Sequence, residues 1–115
     1  MYEYKAKIER VIDGDTYVVF VDCGFNLFWR GHLRLLGVNC AEMSTEQGKL
    51  AKSYLERFFE INGKDVTIRT LEFDSFGRVL AAVQVGNTDL STHLLVTKYA
   101  EPFLGKHTLK ASGQA

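Results

Sequence analysis

The order of patterns in the sequence predicts a mostly β protein of the α+β class, a barrel of five short strands with one helix after strand three and a second helix towards the C-terminus. Three observations support this prediction. Five stretches alternate in polarity or are rich in β-branched and aromatic residues, as strands are. Turn signals rich in Gly, Asn and Asp separate most of them. Two further stretches repeat their apolar residues at helical spacing.

The first three predicted strands follow one another with short connections. Charged and apolar side chains alternate over residues 5–12, which is typical of a half-buried strand. Asp13-Gly14 indicates a hairpin turn, and the β-branched and aromatic residues 17–21 form the returning strand. The third strand covers residues 27–38. Three of its basic residues occupy alternate positions and therefore share one face: Arg30, His32 and Arg34.

A helix follows the third strand. Ser44 stands three residues before Gln47, as in a capping box, and Thr45 offers an alternative N-cap. Asn62-Gly63 ends the helix, because glycine is favoured just beyond a helix C-terminus. The apolar residues between these limits form one stripe: Leu50, Ala51, Tyr54, Leu55, Phe58 and Phe59.

Two more strands and a short helix complete the pattern. Alternation resumes over residues 65–72, and after a turn at 74–77 an apolar strand covers 78–85. Thr88 or Asp89 caps the second helix. Four of its residues are predicted to pack inward: Leu90, Leu94, Leu95 and Tyr99. With the strands antiparallel and joined as hairpins, this order suits an oligonucleotide-binding (OB) barrel.

Composition and charge are those of one globular domain. The chain has 115 residues, of which 46% are hydrophobic and 24% charged, and this excludes a collagenous or wholly disordered protein. We expect a single domain over residues 1–104 and a flexible polar tail over residues 105–115. Fourteen basic and fourteen acidic side chains cancel. The chain therefore has no global attraction for polyanions, and any binding of nucleic acid requires a local patch.

Cysteine spacing and hydropathy bear on the cellular compartment. Cys23 and Cys40 fit no zinc-binding spacing, so we expect two reduced thiols, and a disulfide only if their strands lie adjacent. No apolar run is long enough to span a bilayer, and the first residues lack the layout of a secretory signal. We therefore expect a cytoplasmic protein that contacts no membrane, with a monomer favoured.

Three short motifs carry the chemistry. One is the turn Ile12-Asp13-Gly14-Asp15-Thr16, one is the strand and loop from Arg34 to Glu42, and one is the turn Asp74-Ser75-Phe76-Gly77-Arg78. An arginine followed by oxygen ligands at the end of a strand favours phosphoryl chemistry, because a metal and an arginine can flank one phosphate.

In this order the three motifs resemble those of the staphylococcal nuclease (thermonuclease) family, namely its IDGDT turn, its RLxGIDTPE strand and loop, and its DKYGR turn. The resemblance covers roughly Lys7 to Tyr99, and the ordered set is far more specific than any motif alone. It implies an OB barrel and a calcium-dependent endonuclease that acts on DNA, RNA or both.

The resemblance also implies a calcium site. Asp15 would bind through its carboxylate, Asn39 stands where the family has a second aspartate, and Cys40 would contribute its backbone carbonyl. Glu42 would reach the metal through a water molecule. Hard oxygen ligands of these kinds suit calcium. Since Asn39 removes one negative charge, we expect weaker binding than two aspartates give.

The same resemblance assigns catalysis to three residues. Glu42 would orient or deprotonate the attacking water. Arg34 and Arg78 would grip the phosphate and stabilise the charge of a phosphorane-like transition state. A transition-state arginine can be worth on the order of 10³-fold or more in rate.

Each motif alone also has a purely structural explanation. Asp13-Gly14-Asp15 is typical of an ordinary hairpin turn, and Arg78 is spaced to pair with Asp74 across its own turn. For the whole chain, the alternative function is a catalytically silent OB module that binds nucleic acid or a protein partner. Three aromatic residues suit either base stacking or core filling, and core filling is favoured: Phe25, Phe28 and Trp29.

Overall fold

The structure is a computed structural model that describes residues 1–103. Within that range the chain forms, in order, β1 (Tyr2–Asp13), β2 (Thr16–Asp22), β3 (Phe28–Leu35), β4 (Val38–Cys40), α1 (Glu46–Asn62), β5 (Asp65–Phe73), β6 (Val79–Val85), β7 (Thr88–Asp89), α2 (Leu90–Val96) and β8 (Ala100–Pro102). The boundary expected at residue 104 and the tail expected over 105–115 lie outside the described residues. In the described part of the chain, no helix is long and apolar enough to cross a membrane.

Five strands close into a barrel, as the sequence predicts. Their order is β3-β2-β1-β5-β6 with antiparallel neighbours, and β6 then pairs with β3. The strands joined as hairpins are antiparallel, as predicted, whereas this closing pair, which no hairpin joins, is parallel, with Leu33 opposite Val79. Because four antiparallel steps connect the five strands, the two end strands run in the same direction, and these are the strands that meet. The arrangement is that of an OB barrel.

The barrel interior and one side of α1 form the core. Tyr17, Leu33 and Leu35 are fully buried inside the barrel. Leu55 and Phe59 of α1 belong to the same cluster, and the rings of Phe59 and Tyr17 meet edge to face with 6.0 Å between their centroids. Burying apolar side chains of this size stabilises the fold by roughly 1.5–3 kcal/mol each.

Helix α1 begins and ends where the sequence predicts. Thr45 is the N-cap, and its Oγ1 accepts the backbone N–H of Gly48 at 3.1 Å. Gly63 follows the last helical residue with a φ of 92°. Leu50, part of the predicted apolar stripe, is exposed. The fully buried side chains of the helix are therefore fewer than predicted: Ala51, Leu55 and Phe59.

Helix α2 is shorter than the sequence predicts. Asp89 caps it, and the helix ends at Val96. Lys98 adopts a left-handed φ of 68°, and the N–H of Tyr99 donates to the carbonyl of Leu94 at 3.0 Å. This is the hydrogen-bond pattern of a Schellman motif, with lysine in the place that glycine usually takes. Tyr99 therefore lies outside the helix, although it still packs against the core.

The predicted third strand, residues 27–38, is in fact two strands. β3 ends at Leu35, and Gly37 turns the chain with a φ of 81°, a conformation that glycine adopts without strain. β4 then pairs antiparallel with β8, with Cys40 opposite Ala100. These two strands form a small sheet of their own beside the barrel.

The core role favoured for three aromatic residues is wrong for two of them. Phe25 is 98% exposed and Phe28 is 54% exposed. Trp29 is half-buried and packs against the core, with its indole so close to Gly31 that a Cβ there would lie 2.4 Å from the ring. The loop between β2 and β3 therefore presents aromatic side chains to solvent.

Candidate active site

Arg34 lies at the end of β3 with its guanidinium group turned towards its own backbone. Its Nη1 donates to the carbonyls of Leu35 and Val38, both at 2.8 Å. Its Nη2 donates to Oδ1 of Asn39 at 3.0 Å and lies 3.6 Å from Oδ2 of Asp15. Only 12% of the side chain is exposed. Arg34 therefore fastens the turn between β3 and β4.

Asp15 is the buried acidic partner of this arginine. Its Oδ2 accepts the backbone N–H of Cys40 at 2.8 Å, and its own N–H donates to Oδ1 of Asp13 at 3.0 Å. Burial raises the pKa of the Asp15 carboxyl and the nearby carboxyl of Asp13 raises it further, while the Cys40 N–H and the Arg34 charge offset only part of this. A cation close to Asp15 would favour the ionised form.

Cys40 joins the turn after β1 to β4 by close packing. A Cβ on Gly14 would lie 2.5 Å from Sγ of Cys40, so this contact has no room for a side chain at position 14. Burial, together with the carboxylates of Asp15 and Asp13, raises the pKa of the Cys40 thiol to about 12. Such a thiol is not a nucleophile at neutral pH. Both Cys40 and the exposed Cys23 are free, as the sequence predicts.

Arg78 sits on the turn between β5 and β6. Its Nε donates to Oδ2 of Asp74 at 2.7 Å, and the backbone N–H groups of Phe76 and Arg78 each donate to Oδ1 at 2.9 Å. Burial raises the pKa of Asp74, but these donors and the charge of Arg78 outweigh burial and hold it below its ordinary value. The pairing expected from the turn spacing is therefore present. At 28% exposure, the Arg78 side chain is more accessible than that of Arg34.

The two arginines line one cleft of about 370 Å³. Phe76 and Phe103 line it too, and each has an arginine over its ring: the guanidinium carbon of Arg78 lies 5.2 Å from the Phe76 centroid, and that of Arg34 lies 5.5 Å from the Phe103 centroid. Phe103 also donates its backbone N–H to the carbonyl of Gly37 at 3.0 Å. Two guanidinium groups beside two rings can hold a phosphate and an adjoining base.

Glu42 lies outside this cleft. With Asn39 and Cys40 it lines a second depression, of about 690 Å³, beside β8 and the first turn of α1. The Glu42 carbonyl accepts the N–H and the Oγ1 of Thr45 at 2.9 and 2.6 Å, and a Cβ on Gly48 would lie 1.9 Å from its oxygen. The backbone of Glu42 is thus fixed, whereas the residue is exposed.

Two of the predicted calcium ligands, Asp15 and Asn39, meet at one atom, whereas Glu42 lies in the neighbouring depression. A single nitrogen, Nη2 of Arg34, contacts both Oδ1 of Asn39 and Oδ2 of Asp15. The N–H of Cys40 points to Asp15, and because the N–H and C=O of one strand residue face the same edge, its carbonyl lies on that side as well. These are the hard oxygens that calcium prefers. Over residues 1–103, no group of three or more His, Cys, Asp or Glu residues is placed to hold a metal. Calcium binding here would therefore depend on amide and backbone oxygens.

A model of one known protein family matches the part of the chain that carries most of this site. The family model described as "Staphylococcal nuclease homologue" matches residues 32–110, which is more than half of the chain. The chain belongs to the staphylococcal nuclease homologue family. The match includes Arg34, Glu42 and Arg78, whereas Asp15 precedes it and is tied to the site by its contact with Arg34. A search of curated proteins found no match.

In this nuclease homologue, the structure brings together part of the site that the sequence predicts. Arg34 contacts Asp15 and Asn39 and shares a cleft with Arg78. Glu42 shares the neighbouring depression with Asn39, so the Arg34–Asn39 hydrogen bond lies at the boundary between the two spaces. The site residues thus lie around β4 but line two neighbouring cavities instead of one.

Sequence reasoning missed two features of this site. The ring of Phe103 lies beyond every periodic stretch of the sequence, so no pattern marks it as part of the cleft. The inward hydrogen bonds of Arg34 go largely to backbone carbonyls, and every residue has one of these. An arginine two residues before a Leu-Gly turn was the only available signal, and it does not specify the acceptors.

Proposed function

We propose that this member of the staphylococcal nuclease homologue family is a calcium-dependent endonuclease that hydrolyses phosphodiester bonds in DNA, RNA or both. The observation that carries the proposal is the single cleft lined by both Arg34 and Arg78. Planar guanidinium groups donate in pairs to phosphate oxygens. Membership of the family supports the same chemistry. We also propose that it acts as a monomer.

In this proposal the two arginines bind the scissile phosphate. They stabilise the negative charge that grows on its equatorial oxygens in a phosphorane-like transition state. Arg78 exchanges its ion pair with Asp74 for the phosphate. Arg34 keeps its hydrogen bonds to the turn and contributes a charge whose position is already fixed.

Glu42 orients or deprotonates the water that attacks phosphorus. Its fixed backbone and exposed position suit a carboxylate that acts at the boundary between the cleft and the neighbouring depression. Asp15, Asn39 and the Cys40 carbonyl would hold calcium, which supplies positive charge beside the phosphate. Since Asn39 is neutral, we propose weak calcium affinity, with a dissociation constant on the order of 10⁻⁴ to 10⁻³ M.

Cleavage of end-labelled single-stranded DNA, with calcium above about 1 mM or with a chelator, tests the proposal. We expect cleavage to require calcium. Arg78→Ala should lower the rate by about 10³-fold and Glu42→Gln by roughly 10²- to 10⁴-fold. Arg57→Ala and Glu60→Gln replace the same residue types on the exposed side of α1, and should cleave like the wild type.

An intact strand after incubation of the wild type with calcium contradicts the proposal. The chain would then be a nonhydrolytic OB module, the alternative that one observation favours: Oδ1 of Asn39, a proposed calcium ligand, already accepts a hydrogen bond from Arg34. The two control variants could also lose as much rate as Arg78→Ala. That result would contradict the roles assigned to Arg78 and Glu42.

A further inference from the structure

The barrel contains a cavity at the end that lies away from α1. Tyr17, at the start of β2, meets Phe59 of α1, whereas Val21 lies near the other end of the same strand. Val21 and Ile68 of β5 are buried, and both line a cavity of about 350 Å³. Among the described residues that line it, none belongs to α1. Its volume lies in the range of small-molecule sites, roughly 300–1,000 Å³.

The lengths of the strands explain why this end of the barrel is not filled. β3 begins at Phe28 but pairs with β6 only from Leu33 onwards. β5 continues to Phe73, whereas its pairing with β1 stops at Thr70, opposite Tyr2. Within residues 1–103, no strand pairing joins β3 to β5. Side chains therefore close the wall between these two strands.

An irregularity in β5 turns additional side chains towards the cavity. Side chains of a regular strand alternate between its two faces. The consecutive residues from Thr70 to Phe73 all line the cavity, and the register of β5 with β6 shifts between Thr70 and Glu72. A bulge of this kind bends a strand and redirects its side chains, and bulges are frequent at the rims of barrels. Phe73 is thereby brought to the same cavity as Ile68.

Three aromatic rings form the walls of this cavity: Tyr4 of β1, Trp29 of β3 and Phe73 of β5. The centroids of the Trp29 and Phe73 rings lie 5.7 Å apart, and their planes meet at 68°, so the two rings form a corner. Gly31 leaves the space that the indole occupies, since a Cβ there would lie 2.4 Å from it. Phe73 is 59% exposed, so burial in the core does not account for a phenylalanine at this position.

The lining of the cavity favours an organic cation. The face of an aromatic ring is electronegative and attracts cations, and cages of such rings bind methylated ammonium groups. Glu72 also lines the cavity, and its charge is negative. A quaternary ammonium group has no N–H that needs an acceptor, so it loses less than a primary amine when apolar walls surround it. Charge and shape therefore favour a quaternary ammonium ion.

The cleft lined by the two arginines has the opposite electrostatic character, although Glu72 and Phe73 line both spaces. In the cleft, the rings of Phe76 and Phe103 each have an arginine over them. Over residues 1–103, no lysine or arginine lines the cavity at the barrel end. The cleft therefore suits an anion, whereas the cavity suits a cation.

We propose that the cavity walled by Tyr4, Trp29 and Phe73, here called the aromatic cavity, binds a small organic cation that carries a quaternary ammonium group. The cation lies in the corner between Trp29 and Phe73 with Tyr4 as the third wall, and the charge of Glu72 adds attraction. This inference goes beyond the proposed function, because the binding requires neither calcium nor nucleic acid.

The fluorescence of Trp29 tests this inference, because the sequence contains no other tryptophan. Choline chloride is titrated into the full chain in chelator, with sodium chloride lowered to keep the ionic strength constant. We expect a saturable change in fluorescence with a Kd of about 1 mM. Dimethylbutanol is the uncharged analogue in which a tert-butyl group replaces the trimethylammonium group. It should bind at least about tenfold more weakly, because it has the same shape without the charge.

Variants of the cavity walls test the contribution of each ring. Phe73→Leu should raise the Kd of choline roughly 3- to 30-fold, because one ring face is lost. Tyr4→Leu should give a similar loss, whereas Tyr4→Phe keeps the ring and should bind like the wild type. Phe25→Leu is the matched control, since this ring is 98% exposed and does not line the cavity. Circular dichroism checks that each variant is folded.

Three results would each overturn the inference. The first is the lack of a saturable response to choline in the wild type. The second is equal affinity for dimethylbutanol, since the cavity would then select shape and not charge. The third is an unchanged Kd for choline in Phe73→Leu, or an equal loss in the Phe25→Leu control. Phe73→Leu keeps this test decisive even if Tyr4→Leu does not fold, because Phe73 is largely exposed.

These results are independent of the catalytic proposal, because the titration contains neither calcium nor nucleic acid. A protein that binds choline in the aromatic cavity but cleaves no DNA would support this inference and reject the nuclease. A protein that cleaves DNA but does not bind choline would support the nuclease and reject this inference.

Discussion

The two arginines that line the cleft are held in opposite ways. Arg34, at the junction of β3 and β4, donates to two backbone carbonyls and to the Asn39 amide oxygen and pairs with Asp15. Arg78, on the turn between β5 and β6, pairs with Asp74 and has more than twice the exposed fraction of Arg34. One arginine is thus part of the structure of the cleft wall, and the other is available at its surface.

This difference predicts which arginine affects stability and which affects activity alone. Removing a cation from a buried network leaves acceptors without donors and a carboxylate without a partner, whereas removing one from an accessible pair returns the partner to water. We therefore expect changes at Arg34 to affect both folding and activity. Changes at Arg78 should affect mainly activity.

The largest effect on stability is expected for Arg34→Ala. The substitution leaves the Asp15 carboxylate buried without its cation and two carbonyls without their donor, so the free energy of unfolding should fall by about 3–5 kcal/mol. Urea denaturation measures this loss. Arg30→Ala is the matched control on the same face of β3: its salt bridge with Glu9 is exposed, so its loss should lower the free energy of unfolding far less than Arg34→Ala does. Equal losses in the two variants would contradict the contrast between buried and exposed arginines.

A smaller loss of stability is expected for Gly14→Ala, which tests how firmly the turn that carries Asp15 is held. Gly14 has no positive φ, so the backbone tolerates alanine, but the new Cβ would lie 2.5 Å from Sγ of Cys40. Displacing that side chain should cost roughly 1–3 kcal/mol in the free energy of unfolding. The same substitution in a Cys40→Gly background should cost less, because the clash is removed. Additive losses in the double variant would show that the contact does not constrain the turn.

The barrel and α1 could be predicted from sequence because their signals are local. Alternating polarity marks the strands, and Thr45 and Gly63 mark the ends of the helix. Two features could not be predicted in this way: the pairing of β4 with β8, because it joins residues far apart in the chain, and the end of α2 at Val96, because the turn beyond it uses Lys98 where glycine is usual. Local pattern therefore predicted the elements better than their junctions.

The candidate site shows the same division. The sequence motifs identified Arg34 and Arg78, and both line the cleft. They did not reveal that Glu42 lies in a neighbouring depression, because its direction depends on where α1 packs against the loop before it. The roles of these residues in catalysis and calcium binding stay predictions, which the cleavage assay tests.

A still smaller loss of stability is expected for Arg78→Ala. Its ion pair with Asp74 spans one turn, and the Asp74 carboxylate keeps two backbone N–H donors when the side chain of Arg78 is removed. The free energy of unfolding should therefore fall by less than about 1 kcal/mol, although the rate of DNA cleavage falls by about 10³-fold. Urea denaturation beside the cleavage assay measures both quantities. A loss of stability as large as that of Arg34→Ala would mean that the turn, and not the cleft, explains the lost activity.

The smallest effect is the dependence on pH of the stability that Asp74 gives to the turn between β5 and β6. The pKa of Asp74 is lower in the folded protein than its ordinary value, which is about 3.9. A carboxyl of this kind stabilises the fold above its unfolded pKa, and this contribution is lost as the pH falls through the lower, folded pKa. Asp74→Asn should therefore be less stable than the wild type at pH 7, and the difference should shrink below about pH 4. Urea denaturation at both pH values measures it, and an equal difference at the two would mean that the charge of Asp74 does not stabilise the turn that presents Arg78.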